Sequence, residues 1–369
     1  MTTTPSAATF SDRIERARGE MAKTGVDALL LSVGRDMPYL IGYDAMPLER
    51  LTALVVRRDG RCVLVVPGLE APRVAHHAGV FELVAWGETQ DPMSLVVDVL
   101  GDARSVAVGD QMWARFVLDG QKRLPHVQWS SASHVMVALR AVKDAAEIDA
   151  LARAGAAADA VAAELLAGDI PLVGRTEAQV SADISARLLA RGHDVVNFAI
   201  VAAGENAASP HHHPGSRVIT HGDIVLCDFG GTMNGYCSDI TRCVHIGEPP
   251  AEVREAWNVL RRAQQAAVDA ARVGTSCEDV DRAARRIIAD AGYGDAFIHR
   301  TGHGIGMDAH EDPYMVEGND GVLAAGHAFS VEPGIYIAGK WGMRLEDIVV
   351  ATDAGPRRMN DAPRELVVL

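Results

Sequence analysis

Apolar positions recur at helical spacing in some stretches of the chain and in unbroken or alternating runs between them. Near the start, Ser11 is placed to cap a helix carrying Ile14, Ala17 and Met21 on one face. The run "VDALLLSV" predicts a buried strand. "LTALVVRRDGRCVLVVP" predicts two apolar strands around Asp59-Gly60, a strong short hairpin signal. "FELVAW" and "SVAVG" add strand segments on either side of a weaker helical stretch, "PMSLVVDVL". This alternation predicts a smaller N-terminal α/β domain over residues 1–135. It contains no chemical constellation, and His76-His77 reads as solvated surface.

From residue 136 onward the pattern becomes helix-rich. "LRAVKDAAEIDALARAGAAADAVAAELLAG" is alanine-rich, with Lys143 and Glu147 at i,i+4 spacing and Ile148, Leu151 and Ala152 along one face. Thr176 and Gln179 form a capping box ahead of Val180, Ile184 and Leu188. After a strand-rich block, "AEVREAWNVLRRAQQAAVDAARVG" predicts a helix stopping at Gly274. Thr275 and Glu278 then cap another that carries Val280, Ala284 and Ile287. A second strand-rich block closes the chain. Residues 136–369 thus repeat one order, helix, helix, strands, without a sequence repeat.

Composition narrows the class. A net charge of −14 argues against nucleic acid or an anionic membrane surface as partner. No apolar run reaches the ~18 residues of a membrane span, and the N-terminal stretch lacks the basic and apolar regions of a secretory signal. Cys62, Cys227, Cys237, Cys243 and Cys277 show no C-x-x-C spacing and read as free thiols of a reducing compartment. A cytoplasmic enzyme is expected.

The candidate chemistry lies in the strand blocks. In "GDIVLCDFGGTMNGYCSDITRCVHIG" an apolar run enters Asp228, and Asn234-Gly235 signals a two-residue turn. That turn sets Asp228 opposite Thr241 and Asp239 opposite Gly230, with all four side chains on one face. The two aspartates become diagonal neighbours with Cα atoms about 7 Å apart, and paired carboxylates on one face ask for a cation between them. The same register separates Cys243 and Cys227 onto opposite faces. In "AFSVEPGIYIAGKWGMRLEDIVV" a turn at Gly339 brings Glu332 and Glu346 nearly opposite, while alternation sends Asp347 to the other face. Any one of these acids could be a turn or cap residue; their joint occurrence carries the metal reading.

"HRTGHGIGMDAHEDP" places His299, His303 and His310 among three glycines. An H-E-x-x-H zinc helix is excluded, because Arg300 stands where its glutamate belongs and Gly302, Gly304 and Gly306 oppose a helix. Asp228, Asp239, His303, Glu332 and Glu346 make a five-ligand set that exceeds one tetrahedral zinc. Its oxygen-rich character suits manganese, iron or cobalt, and two ions fit the count. "DFG" lacks the other kinase signatures, and "GHGIG" is not a dinucleotide fingerprint.

Five segments in order, "PHHHPGSRVITHGDIVLCDFGG", "NGYCSDITR", "HRTGHGIGMDAHEDP", "VEPGIYI" and "MRLEDIVV", resemble the successive motifs of the proline-specific metallopeptidases. That group comprises the Xaa-Pro dipeptidases (prolidases) and Xaa-Pro aminopeptidases, with creatinase and methionine aminopeptidase as relatives. The resemblance implies an α+β protein, with a C-terminal pita-bread fold of two pseudo-twofold halves behind an N-terminal creatinase-like domain. It implies a small peptide substrate and a homodimer in which the N-terminal domain of one subunit borders the other's site. Two divalent ions are implied, manganese first, with cobalt, iron or zinc as alternatives.

By position, the resemblance gives Asp228 to one ion and His303 and Glu332 to the other, with Asp239 and Glu346 bridging. A dimetal-bridged hydroxide would attack the carbonyl before proline, and Glu332 would shuttle the proton. His310 would bind the scissile carbonyl, His299 would help form the proline pocket, and Arg344 would support the ligands or bind substrate. The family's histidine after proline falls on His211, with His212 one residue away as the alternative; His245 and His327 are structural. One departure bears on specificity. Many prolidases carry an arginine four residues after the second histidine, able to pair with a dipeptide's carboxylate, and Tyr314 stands there. An Xaa-Pro dipeptidase is therefore expected, with an Xaa-Pro aminopeptidase as the alternative. A creatinase-like hydrolase or an inactive binding homologue fits less well, since none of the five ligands is lost.

Overall fold

The first apolar run becomes the centre of a sheet. β1 (Ala28–Leu31) is buried along its length and pairs antiparallel with β2 (Ala53–Arg57) on one side. β2 turns back into β3 (Cys62–Pro67), and β4 (Glu82–Trp86), β5 (Ser105–Val108) and β6 (Gln128–Ser131) complete the order β4-β3-β2-β1-β5-β6. In this computed structural model, residues 5–75 and 77–369 are described. His76, expected as solvated surface, lies outside them, while His77 is half-buried with its ring tilted against Phe10.

Several local expectations shift by a few residues. The first helix, α1 (Ala7–Thr24), is capped by Ser6 rather than Ser11, and Ile14, Ala17 and Met21 form its buried face. The β2–β3 turn spans Arg58–Gly60 instead of two residues, because Arg57 N–H still pairs with the Arg61 carbonyl. Around the sheet lie α2 (Asp36–Ile41), α3 (Pro92–Leu100), α4 (Ala114–Arg123) and α5 (Ser133–Arg140). The chain divides after Arg140 rather than after residue 135. The reason is that α5 belongs to the first unit, where the Tyr39 hydroxyl donates to the Leu139 carbonyl and Arg140 pairs with Asp36.

The second unit runs from Ala141 to Leu369. Its first half holds α6 (Ala145–Leu166), α7 (Glu177–Ala190), β7 (Val195–Ala203), β8 (Ile224–Met233), β9 (Tyr236–Cys237) and β10 (Ile240–His245). The second half holds α8 (Ala251–Ala270), α9 (Cys277–Asp290), β11 (Gly302–Gly304), β12 (Glu311–Met315), β13 (Ala328–Val331), β14 (Gly334–Ile337), β15 (Trp341–Arg344), β16 (Asp347–Thr352), β17 (Gly355–Arg358) and β18 (Val367–Val368). Thr176 and Gln179 form the expected capping box on α7. Lys143, by contrast, precedes α6: Asp144 is the cap, Glu147 closes the box, and Lys143 pairs with Glu311 at 2.7 Å. α8 ends at Ala270, ahead of Gly274, and Ser276 rather than Thr275 caps α9.

The repeated element order extends to individual hydrogen bonds. Gly174 N–H donates to the Ile219 carbonyl and Ile219 N–H to Arg175; in the other half Gly274 N–H donates to Leu323 and Leu323 N–H to Thr275. Val218 and Val322 make the corresponding isolated bridges, to Thr176 and Ser276. Each half packs its helices on its sheet. Val180, Ile184 and Leu188 meet Val225, Cys227 and Phe229 in one core; Leu260, Val280 and Ala284 meet Phe329, Met343 and Val349 in the other. Among the described residues no helix is long and apolar enough to cross a membrane.

Candidate active site

Two hairpins bring the acids together. Asn234 and Gly235 both have positive φ, 51° and 83°, a turn that suits the right-handed twist of the strands. The register pairs Thr241 with Asp228 and Cys243 with Leu226, and continues past β10 through Ser238 N–H to the Gly231 carbonyl. In the second hairpin, β13 pairs Val331 with Asp347 and β14 pairs Gly334 with Arg344. Glu332 and Glu346 sit in the break between, where Pro333 has no N–H to give. That break lets the hairpins meet, with Glu346 bridging to Thr241.

His303 enters from β11. Its glycine neighbours do not have left-handed backbone; they are needed because other chains crowd close. A Cβ at Gly302 would lie 1.8 Å from the Ser330 carbonyl oxygen, and one at Gly304 would lie 2.2 Å from that of Asp312. Asp281, fully buried on α9, accepts from the Thr301 N–H and hydroxyl and fixes the segment that presents His299 and His303.

The ligand atoms converge. Asp239, His303 and Glu346 each place one within 4.8 Å of the others, and His303 Nε2 is 3.3 Å from Glu332 Oε1 and 3.8 Å from Asp239 Oδ2. His303 Nδ1 donates to the Gly304 carbonyl, which leaves the Nε2 lone pair directed at the carboxylates. Burial pushes the His303 imidazolium down to about 4, so the ring is neutral. Asp228 lines the same cavity, with its Oδ2 held 2.5 Å from Arg344. Thr241 donates to Glu346 Oε2 at 2.6 Å, and Ser330 donates to Glu332 Oε1 at 3.0 Å.

Two observations bear on whether cations fit. Asp228 Oδ1 and Asp239 Oδ1 are buried without a hydrogen-bond partner, a costly arrangement for anionic oxygens unless a cation completes it. Burial first, then the neighbouring carboxylates, holds Asp239 and Glu346 well above the usual carboxylate range. Four carboxylates and one neutral imidazole therefore fit divalent ions with a preference for oxygen ligands. Protons held by this pair must leave when a cation enters. Mn2+ is thus expected to bind more weakly as the pH falls from 8 to 6, with proton release measurable in weakly buffered calorimetry. An affinity flat across that range, with no released proton, would sink this account.

A cavity of about 660 Å³ opens onto the cluster, walled by His211, His299, His310, Phe198, Ile200 and Arg300 among others. His310 stands at its rim with its ring 3.9 Å from that of His303. His211 faces the cavity, whereas His212 Nε2 contacts the fully buried Glu177 at 2.8 Å. Glu177 also accepts from the N–H groups of Ala203 and Gly215, pinning the loop that carries His211. His299 donates from Nδ1 to the Arg300 carbonyl and accepts at Nε2 from the Tyr336 hydroxyl, so its ring offers a wall rather than a free nitrogen. Arg344 is 2% exposed and gives its donors to Thr241, Pro210, Tyr336 and Asp228. Tyr314 stands outside the lining residues, behind Arg300. Asp347 faces away, paired with Arg242 at 2.7 Å. His245 donates to the Gly247 carbonyl, and His327 accepts from Ala324 N–H.

Sequence reasoning did not find Tyr336, Ser330 or Arg300 as site residues. Tyr336 lies in the quoted "VEPGIYI" segment, but only the Arg344–Tyr336–His299 chain of hydrogen bonds reveals its place.

Comparison with known proteins follows the same division of the chain. Residues 140–353 match Metallopeptidase family M24, and residues 13–142 match the Creatinase/Prolidase N-terminal domain. The chain is 44% identical to the probable dipeptidase PepE of Mycobacterium tuberculosis, covering 98% of this chain and 97% of that protein. It is 35% identical to the Xaa-Pro dipeptidase of Lactobacillus delbrueckii subsp. lactis, covering 96% and 98%. The crystal structure of dipeptidase PepE from Mycobacterium ulcerans superposes with a TM-score of 0.94 at 45% identity, covering 99% of both chains.

Proposed function

Because the chain belongs to metallopeptidase family M24, with a creatinase/prolidase N-terminal domain ahead of the pita-bread unit, we propose that it hydrolyses the peptide bond before proline in Xaa-Pro dipeptides. The observation that carries this reading is the buried cluster of Asp228, Asp239, His303, Glu332 and Glu346, with two partnerless carboxylate oxygens, opening onto a peptide-sized cavity. The names of the dipeptidase relatives support the substrate class.

These five side chains would hold two divalent ions, manganese first. When bound, the ions supply an activated water and Lewis-acid polarisation of the scissile carbonyl. The protein's own groups do the rest. Glu332 has 14% of its side chain exposed against 4% for Asp239, so it is the better placed to exchange protons. It takes a proton from the attacking water and delivers it to the proline nitrogen as the C–N bond breaks. His310, neutral at the rim, donates to the carbonyl oxygen as charge develops there, with His211 on the facing loop. The His299 ring, packed edge-on against Phe297, makes a flat wall for the proline ring. Buried free cysteines agree with a cytoplasmic setting, and the homodimer is carried from the family resemblance.

Ala-Pro and Ala-Pro-Ala offered to manganese-loaded and chelated protein test the proposal. Cleavage of Ala-Pro that falls roughly 10³-fold or more on chelation is expected. Cleavage of the tripeptide alone would make the protein an aminopeptidase, and cleavage of neither would overturn the substrate class.

A further inference from the structure

Behind the ligands, on the side turned away from the cavity, lies a second buried arrangement. Arg242 and Asp347 each follow a site residue by one position, Thr241 and Glu346, and alternation directs each to the opposite side of the backbone. Arg242 is 1% exposed and Asp347 is fully buried. The guanidinium spends every donor it has. Nε donates to the Pro363 carbonyl at 2.8 Å, and Nη1 donates to the Thr241 and Glu346 carbonyls at 2.9 and 2.6 Å. Nη2 donates to Asp347 Oδ1 at 2.7 Å and to the Ala362 carbonyl at 2.9 Å.

These contacts lie where the site hairpins of the two halves meet. Their sheets are separate, and an isolated bridge joins Thr241 to Glu346 through a hydrogen bond of 3.3 Å from Glu346 N–H to the Thr241 carbonyl. Nη1 closes that bridge from behind, because it grips the carbonyls of both bridged residues. The Thr241 hydroxyl holds Glu346 Oε2 at 2.6 Å. Glu346 is therefore fixed through its N–H, its carbonyl and its carboxylate. Asp347 seats the guanidinium and is itself held by Gln264 at 3.0 Å and Arg358 at 3.2 Å. The segment that offers the Ala362 and Pro363 carbonyls is anchored on α6. There Asp159 accepts from Asp361 N–H at 2.6 Å, and a Cβ at Gly155 would lie 2.5 Å from the Met359 carbonyl oxygen.

We propose that Arg242 is a positioning residue for the metal centre, setting the main chain of Glu346 against that of Thr241 and so fixing where the Glu346 carboxylate meets a bound ion. The assignment rests on the metal-dependent reading given above. It goes beyond that reading by making a group that touches neither ion nor substrate a determinant of manganese affinity. A purely electrostatic role would have the opposite sign, since a buried positive charge near the carboxylates repels a cation.

Manganese titration calorimetry on metal-free wild type, Arg242→Lys, Arg242→Gln and Arg358→Gln tests the assignment. Arg242→Lys keeps the charge beside Asp347 but lacks the fork that spans two carbonyls, so its manganese affinity should fall roughly ten- to a hundredfold. Arg242→Gln should also bind more weakly, although removing a positive charge would by itself tighten cation binding. Arg358→Gln takes an equal charge from the same carboxylate without a contact to the Thr241 or Glu346 backbone, and its affinity should stay within about twofold of wild type. Excess manganese should bring kcat of Arg242→Lys on Ala-Pro back to within about threefold of wild type with KM unchanged. Unchanged affinity in either Arg242 variant, tighter binding in Arg242→Gln, or an equal loss in Arg358→Gln would overturn the assignment. A wild type that binds manganese but cleaves no Xaa-Pro compound would overturn the substrate class, while this assignment is still decided by the affinities of the variants. A wild type that binds no manganese would overturn both.

Discussion

Asp239→Asn is expected to lose peptidase activity by on the order of 10³-fold or more while making the metal-free protein more stable. Both effects come from one carboxylate. Asp239 is 3% exposed, lies 3.8 Å from His303 Nε2, and leaves Oδ1 without any protein partner. It is fit for a bound cation and poorly fit for an empty site. Burial and the adjacent Glu346, Asp228 and Glu332 carboxylates raise its pKa well above the ordinary value. For an acid whose folded-state pKa is raised, stability is fully present below the unfolded value and is lost as pH rises through the folded one. An amide of the same shape removes that loss. The melting-temperature advantage of the variant over wild type, both chelated, should therefore grow as the pH is raised from 5 to 8. Metal content by elemental analysis should fall in the same variant. Unchanged metal content and turnover, or a stability difference that shrinks with pH, would refute the bridging assignment.

Arg344→Met should destabilise the metal-free protein by about 3–5 kcal/mol, the cost of leaving a buried carboxylate without its partner. Arg344 holds Asp228 at 2.5 Å and also donates to the hydroxyls of Thr241 and Tyr336. These contacts orient two further site groups, because Thr241 donates to Glu346 and Tyr336 donates to His299. Divalent ions should recover part of the loss, since a cation beside Asp228 replaces the missing charge. Urea unfolding with and without manganese measures both quantities. A loss below about 1 kcal/mol in the metal-free protein would show that Asp228 does not depend on this guanidinium.

What the sequence made legible was whatever short-range alternation controls. The Asn234-Gly235 turn fixed which face Asp228 and Asp239 share, and the Gly339 turn did the same for Glu332 and Glu346. Caps were readable where one box stood alone, as at Thr176, and slipped where neighbouring residues competed, as with Thr275 and Ser276. Lys143 was misplaced onto a helix because the local box of Asp144 and Glu147, which starts α6 one residue later, was passed over for the i,i+4 spacing. Distance hid the rest. The choice between His211 and His212 is governed by Glu177 at the start of α7, and Arg300 meets Tyr314 from a different strand segment. Tyr314 could be seen to depart from the family pattern, but no spacing rule places a guanidinium over its ring.

The matched hydrogen bonds of the two halves carry an implication for ancestry. Asp228 follows Val218 by the same interval at which Glu332 follows Val322, so each half contributes an acid from the same structural address. Neither half carries the whole ligand set. A half-length forerunner would have assembled a comparable centre only by pairing with a second copy of itself.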